Sequence, residues 1–190
     1  MTTTAPSASR LLHPNHSLLL VVDVQEKFAP VIEHYERLLE KCAILIQACH
    51  LLEIPVVVSE QYPKGLGYTV EQLKRLLPAE AAVFEKISFG CGRSPELQQT
   101  LADLNRRQII VCGIEAHVCV SQTVHQLLEE GYQVHTVQDA IGARHKLNYK
   151  AALAKMQQSG TIPATVEMAL FELLGSASHK AFKQVQALIK

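Results

Sequence analysis

The sequence has 190 residues, and its 18 Lys and Arg residues are balanced by 18 Asp and Glu residues. That length suits one domain with a substantial core. The balanced charge argues against a nucleic-acid-binding protein, which would carry a basic footprint, and no apolar run approaches the ~18 residues of a membrane span.

The opening stretch, residues 1–16, is rich in small and polar residues and contains prolines. It lacks the sustained apolar core of a secretory signal, so we expect a flexible N-terminal tail. Its single Arg and its lack of acidic residues keep organelle targeting open as an alternative.

The five cysteines are Cys42, Cys49, Cys91, Cys112 and Cys119. Their spacing is irregular, and no CxxC pair occurs. This pattern argues against a disulfide framework and against a structural zinc site, and it favours a reducing compartment. We therefore expect a cytoplasmic protein.

Apolar runs typical of buried strands alternate with segments whose apolar residues recur at helical spacing. The first run, SLLLVVD, ends in Asp23, and the fourth, QIIVCGI, precedes a helical pattern that Gly131 stops. In chain order, the predicted elements are strand 17–23, helix 31–52, strand 54–60, short helix 70–77, strand 81–86, helix 94–106, strand 108–114, helix 117–130, strand 132–139, helix 144–158, a short strand or extended link over 161–166, and two closing helices.

Strands that alternate with helices imply parallel pairing, with helices on both faces of the sheet. Right-handed crossovers then predict an α/β fold, a three-layer α/β/α sandwich with a Rossmann-like parallel sheet of about six strands. We expect it as a single domain over residues 17–190. In the common strand order 3-2-1-4-5-6, the direction of growth reverses between the first and fourth strands, and ligands bind there, beyond the carboxyl ends of the strands.

Three reactive side chains fall at the carboxyl ends of separate predicted strands. Asp23 ends the first strand, Lys86 ends the third, and Cys119 follows the fourth. An acid, an amine and a thiol at one crevice provide a nucleophile, its base and an electrostatic partner. Taken singly, Asp23 also fits a chain cap, Lys86 a surface lysine, and Cys119 a core residue.

The position of Cys119 bears on its ionisation. The first turn of a helix carries unpaired N–H groups and positive partial charge, which favour thiolate over thiol, so we expect a low pKa. Cys42, Cys49 and Cys112 are expected to be core residues. Cys91, in a Gly-flanked loop, is either a second thiol near the site or an unreactive loop cysteine.

A resemblance to the isochorismatase-like cysteine hydrolase superfamily covers the chain from about Ser17 to its C-terminus. It is carried by LLLVVDVQEKFAPVI, SEQYPKGLG, FEKISFGC and VCGIEAHVCVSQTVHQLLEEGYQVHTVQDAIGAR. The forms GIEAHVCV and EQYPKGLG are similar to the branch of isochorismatase domain-containing proteins. The D-x-Q, K-x-x-F and G-I-E-A-x-x-C blocks, in this order and at these spacings, are specific in combination.

The resemblance implies a catalytic triad of Asp23, Lys86 and Cys119, the trio that the strand ends also select. It further implies a cis peptide bond between Ile114 and Glu115. The N–H groups of Glu115 and Cys119 would then form an oxyanion hole.

The implied activity is that of a cysteine hydrolase cleaving a C–N, amide-type bond of a small molecule through a covalent thioester. The alternatives are a catalytically silent scaffold or binding protein of the same fold, and an enzyme acting on an ester, a vinyl ether or nucleic acid. Nucleic acid is not an expected partner, because the charge is balanced and no basic, aromatic-rich stripe occurs. The resemblance also implies a homo-oligomer, a dimer or larger.

Nicotinamidases of the superfamily hold a metal through an Asp and two His in the loop after the second strand. The corresponding loop here, SEQYPKGLGYT, contains neither residue type, so no metal or other cofactor is expected. A Cys–His dyad is not predicted either, because His117 lies two residues from Cys119 and its side chain diverges. The residues expected to line the substrate pocket are Gln25, Phe28, Tyr62, Phe89 and Ile141. A turn contact for Gln25 and ordinary core packing for the aromatic residues are the alternatives.

Overall fold

A computed structural model describes residues 10–190 of the protein. Its six strands form one parallel sheet in the order β3-β2-β1-β4-β5-β6. The strands are β1 (Ser17–Val22), β2 (Val56–Gln61), β3 (Ala82–Lys86), β4 (Gln108–Gly113), β5 (Gln133–Ile141) and β6 (Ile162–Ala164). The helices are α1 (Tyr35–Leu51), α2 (Pro63–Leu66), α3 (Glu71–Lys74), α4 (Pro95–Leu104), α5 (Ser121–Glu129), α6 (Lys146–Gln158), α7 (Val166–Leu174) and α8 (Phe182–Ala187).

Helices cover both faces of the sheet, which confirms the predicted α/β sandwich and its strand order. The alternation of side chains along β1 shows why. Leu19 and Val21 pack on the side of α1, α7 and α8. Leu18, Leu20 and Val22 pack on the side of α4, α5 and α6. Because both faces of this strand are buried, its sequence is continuously apolar rather than alternating.

The N-terminal segment differs from the expected tail in the part that the structure describes. Leu12 is buried, and its N–H donates to Glu172 Oε2 at 3.0 Å. Pro14–His16 forms a short 3-10 helix that leads into β1. Residues 10–16 are therefore attached to the domain, because Leu12 adds apolar surface to its core. The remainder of the expected tail, residues 1–9, lies outside the described residues. No helix within residues 10–190 is long and apolar enough to cross a bilayer.

Two departures from the predicted elements bear on the edge of the sheet where the strands end. Asp23 lies one residue beyond β1, in a left-handed conformation with φ of 52°, instead of ending the strand. The predicted helix 117–130 begins as a π-helical turn, Ala116–Val120, and becomes α5 at Ser121. Both departures from regular geometry occur at the switch point, and π-helical turns are frequently found at functional sites.

Gly113, the last residue of β4, brings this strand unusually close to β1. Its φ is 114°, and a Cβ atom there would lie 2.1 Å from the carbonyl oxygen of Val22. Only glycine accommodates both the positive φ and the close approach. The absence of a side chain at Gly113 thus allows the ends of β1 and β4 to approach closely. These two ends precede Asp23 and Cys119.

His135, on β5, is expected to make the protein less stable in acid. It is fully buried, neither ring nitrogen has a hydrogen-bond partner within residues 10–190, and burial lowers its pKa to about 4. In the unfolded chain a histidine protonates near pH 6.5, so between pH 6.5 and 4 the unfolded state binds the extra proton. Stability from this residue is present above pH 6.5, and about 3 kcal/mol is lost as the pH falls to 4.

Urea unfolding between pH 4 and 7 measures this loss. The slope of the unfolding free energy against pH reports how many more protons the unfolded state binds than the folded state. We expect this number to be about one smaller in His135→Leu than in wild type. The exposed His50, replaced by Gln, serves as the control and should retain the wild-type slope. An unchanged slope in His135→Leu would show that this ring is not held neutral.

Candidate active site

The structure brings together the three side chains that the strand ends select. Lys86 Nζ lies 2.7 Å from Asp23 Oδ2, and the two side chains are 2% and 0% exposed. The thiol of Cys119 is also buried, and it lies near enough to Asp23 and Lys86 for both charges to affect its pKa. Asp23 is thus the centre of the cluster, with a cation on one side and a thiol on the other.

The Asp23 carboxylate is fixed in orientation by donors on both oxygens. Lys86 Nζ occupies Oδ2, and the Ser59 hydroxyl donates to Oδ1 at 2.7 Å. The backbone is fixed as well, since Asp23 N–H donates to the Ser59 carbonyl at 3.1 Å. Parallel pairing of Val22 with Ser59 in β1 and β2 places the serine beside the acid. A carboxylate held in this way has a fixed orientation, so the direction from which it can accept a proton is defined.

The Lys86 ammonium is enclosed by acceptors. Besides Asp23, it donates to Gln61 Oε1 at 2.7 Å, to the Phe89 carbonyl at 2.9 Å and to the Ser88 carbonyl at 3.3 Å. A buried charge requires such compensation, because its desolvation is costly. The surface alternative for Lys86 is therefore wrong: this lysine is a buried part of the cluster.

Gln25, predicted to contact the substrate, forms hydrogen bonds with two other segments of the protein. It is fully buried, and its Oε1 accepts from Gln61 N–H at 2.7 Å while its Nε2 donates to the carbonyls of Gln61 and Gly67. Gln61 in turn holds Lys86. These bonds agree with the turn-contact alternative, because each polar atom of the Gln25 side chain has a partner within the protein.

The expected low pKa of Cys119 is wrong. Burial raises the pKa of this thiol to about 12, and the negative charge of Asp23 acts in the same direction while Lys86 opposes it. Burial also raises the pKa of Asp23, although Lys86, Cys119 and Ser59 each act to lower it. The raised pKa favours a protonated thiol at rest, because burial and a neighbouring charge outweigh the effect of a helix start.

The segment that leads to Cys119 is fastened to the end of β5. The peptide bond between Ile114 and Glu115 is cis. Glu115 Oε1 accepts from Arg144 Nε at 2.8 Å, and Ala116 N–H donates to the Gly142 carbonyl at 2.7 Å. The Glu115 N–H donates to no group within residues 10–190. One backbone donor beside the segment that carries Cys119 is thus without an acceptor among the described residues.

Comparison with known proteins gives the family. The sequence model of the isochorismatase domain matches residues 17–168. The chain belongs to the isochorismatase domain family. Human isochorismatase domain-containing protein 2 is 39% identical over 193 residues, covering 100% of this chain and 90% of the relative. The resemblance deduced from the sequence motifs is confirmed.

Solved structures agree with the isochorismatase assignment. The structure described as MAR1 ribonuclease from Caenorhabditis elegans is 41% identical, with a TM-score of 0.91 over 94% of this chain and 92% of its own. The YcaC gene product of Escherichia coli, described as an octameric hydrolase of unknown specificity, is 20% identical, with a TM-score of 0.89 over 98% and 91% of the two chains. The fold is thus a hydrolase fold of this family.

The other predicted pocket residues of this isochorismatase-family protein lie in different environments. Tyr62 and Phe89 are 51% and 55% exposed, in the loops that follow β2 and β3. Ile141 is buried and packs in the same apolar cluster as Cys119. Phe28 is half-buried against the core beside α1. The first three lie at or beyond the carboxyl ends of β2, β3 and β5, whereas Phe28 shows the core packing named as its alternative.

Cys91 lies behind the triad. It is fully buried, its Sγ is 3.3 Å from Thr123 Oγ1, and its N–H donates to the same hydroxyl at 3.0 Å. Burial raises its pKa to about 11, and the charges of Asp23 and Lys86 also act on this thiol. Within residues 10–190 no group of three or more His, Cys, Asp or Glu side chains is arranged to hold a metal ion.

Proposed function

We propose that this isochorismatase-family protein is a cysteine hydrolase that cleaves a C–N, amide-type bond of a small molecule. The observation that carries the proposal is the burial of the Cys119 thiol beside a carboxylate that Lys86 and Ser59 hold in place. A nucleophile, a base in contact with it and a group that orients the base are the parts required for covalent catalysis.

The first half-reaction transfers the substrate acyl group to sulfur. As Sγ of Cys119 attacks the carbonyl carbon, its proton passes to Asp23, and the positive charge of Lys86 favours the ionised pair. The carbonyl π electrons move to oxygen, where the N–H groups of Glu115 and Cys119 stabilise the negative charge. Asp23 then protonates the leaving nitrogen, the C–N bond breaks, and a thioester remains on Cys119.

The second half-reaction returns the enzyme to its starting state. Asp23, ionised again, takes a proton from water as the water oxygen attacks the thioester carbonyl. When the tetrahedral intermediate collapses, the C–S bond breaks, and the sulfur recovers its proton from Asp23. The raised pKa of Asp23 suits this double use, because a base whose pKa lies nearer the working pH both accepts and returns a proton readily.

RNA cleavage is a second candidate function. It is favoured by the name of the 41% identical Caenorhabditis elegans relative, described as a ribonuclease. The chemistry of the cluster favours a carbonyl substrate, because a thiol nucleophile beside a carboxylate base is suited to acyl transfer. Incubation with an end-labelled RNA, for wild type and Cys119→Ala, separates the two: cleavage that depends on Cys119 would support the ribonuclease candidate.

A homo-oligomer is part of the proposal. The fold relative from Escherichia coli is described as octameric. Three apolar side chains near the site, Tyr62, Ile87 and Phe89, are more than half exposed in the single chain. Burial of such side chains against a second copy would complete the walls of the pocket. Sedimentation velocity measures the assembly, and a monomer at micromolar concentration would contradict this part.

A substrate panel tests the proposed activity. Small amides, carbamoyl compounds and esters are incubated with the purified protein, and release of amine, ammonia or alcohol is measured. We expect turnover of one or more C–N substrates. A protein that turns over esters only would indicate the ester alternative, and a protein inert to the whole panel, with no preferential labelling of Cys119 by limiting iodoacetamide, would indicate the binding-protein alternative.

Ser59 is expected to act as a positioning residue for Asp23. Ser59→Ala should lower kcat about 10- to 100-fold, the effect of losing one hydrogen bond to a charged group. It should also move the acid limb of the pH–rate profile to higher pH, because a donor to the carboxylate lowers its pKa. Ser59→Thr retains a hydroxyl and should restore both values. A Ser59→Ala profile identical to wild type would contradict this role.

A further inference from the structure

A hollow opens at the carboxyl edge of the sheet, above the end of β5. Its volume is about 460 Å³, and it is formed by the last residues of β5, the first turns of α1 and α6, and the residue before α7. None of Asp23, Lys86 and Cys119 lines it. Its volume is in the range of small-molecule sites, and its place at the carboxyl ends of parallel strands is where such sites form.

The back wall of this hollow is apolar. Leu38, Ile141 and Ala143 line it and are each about 4–5% exposed. Tyr149 adds an aromatic side chain, whose hydroxyl donates to the Gln138 carbonyl at 2.8 Å and is thereby fixed. An apolar wall with an anchored aromatic residue suits the hydrocarbon part of a ligand.

Three cations line the same hollow. Arg37 comes from α1, and Lys146 and Lys150 come from α6, more than 100 residues away in the chain. None of these side chains forms a hydrogen bond or an ion pair within residues 10–190. They are unpaired although two carboxylates, Glu33 and Asp139, also line the hollow. Asp139 instead accepts from Val166 N–H, at the start of α7, at 2.8 Å.

We propose that this hollow is a second binding site, for a small molecule with an aromatic or apolar body and one anionic group, a carboxylate or a phosphate. Unpaired cations from two separate helices, placed around an apolar wall, provide charge-assisted hydrogen bonds that the protein itself does not use. The site is separate from the hydrolytic centre but shares a wall with it. Gly142, in that wall, accepts the N–H of Ala116, which lies in the turn that carries Cys119.

Calorimetric titration of the full chain tests the site, with Cys119→Ala used so that the proposed hydrolysis plays no part in the readout. The probes are phenyl phosphate and benzoate, with benzyl alcohol as the neutral analogue. We expect saturable binding of at least one anion, with benzyl alcohol at least about tenfold weaker, because one charge-assisted hydrogen bond is worth that factor. Preference between the two anions then assigns the group that is recognised.

Variants place the binding in this hollow. Arg37→Gln/Lys150→Gln should weaken anion binding by at least about tenfold. Lys155→Gln, an exposed lysine of the same helix α6 that does not line the hollow, is the matched control and should bind as the parent. A second readout uses wild-type protein: the bound anion should protect Lys146 and Lys150, but not Lys155, from acetylation. No saturable binding at 10 mM of either anion, or binding unchanged in the double variant, would overturn the site.

Discussion

Replacing Cys119 by alanine is expected to lower the kcat of amide hydrolysis by about 10⁴-fold or more, the scale seen when a covalent nucleophile is removed. The reason is that the thiol is the group placed against the Asp23 base, so without it no acyl-enzyme forms. The measurement is the steady-state rate on whichever substrate of the panel is turned over.

A matched thiol deletion controls for this result. Cys49 is a fully buried cysteine of α1 in the opposite core, and Cys49→Ala should retain hydrolysis. Full activity in Cys119→Ala would refute the nucleophile. Equal losses in both variants would show that the effect is structural.

Lys86→Met is expected to destabilise the fold by about 3–5 kcal/mol, because it leaves the buried Asp23 carboxylate without its partner. The effect is expected to be large because both side chains of the pair are buried: Lys86 is 2% exposed and Asp23 is 0% exposed. Loss of the cation should also raise the pKa of Asp23 further. A protonated Asp23 accepts no proton from Cys119, so hydrolysis and iodoacetamide labelling of Cys119 should both fall.

Urea unfolding at pH 7 provides the test, and two variants sharpen it. The double variant Asp23→Asn/Lys86→Met removes both charges and should recover most of the lost stability. Lys180→Met breaks an exposed pair with Glu53 and should change stability by less than about 1 kcal/mol. A Lys86→Met protein as stable as Lys180→Met would show that the pair does not compensate a buried charge.

The fold was predictable because local patterns determine it. The continuous apolar run of β1 indicates that both faces of this strand are buried. Strands that alternate with helical segments along the chain indicate parallel strands joined by crossover helices. That topology places Asp23, Lys86 and Cys119 at the same edge of the sheet, because each of them lies at or after the carboxyl end of a parallel strand. Strand order and the position of the cluster thus depend on features that a single sequence contains.

The supporting residues depend on register, which the sequence does not show. Ser59 reaches Asp23 because Val22 pairs with it across β1 and β2, and a shift of one residue would direct its hydroxyl to the other face. Its one visible signal is that the apolar start of β2, VVVSEQ, becomes polar at this residue. Arg144 reaches Glu115 across β4 and β5 and carries no comparable signal.

The ionisation of Cys119 was mispredicted for a related reason. A helix start was inferred correctly from the sequence, but the pKa of the thiol depends on burial and on the charge of Asp23, which only the packed structure provides. The error changes the proposed mechanism, in which Cys119 loses its proton during the attack and is not a thiolate beforehand.

The covalent thioester on Cys119 is the central claim, and mass spectrometry of the acid-quenched enzyme during turnover tests it most directly. We expect a fraction of the intact protein to gain the mass of the substrate acyl group, with fragmentation placing that mass on Cys119 rather than on Cys112 in the same tryptic peptide. Turnover in which the protein mass stays unchanged under single-turnover quenching, or an acyl group on any other residue, would contradict the account.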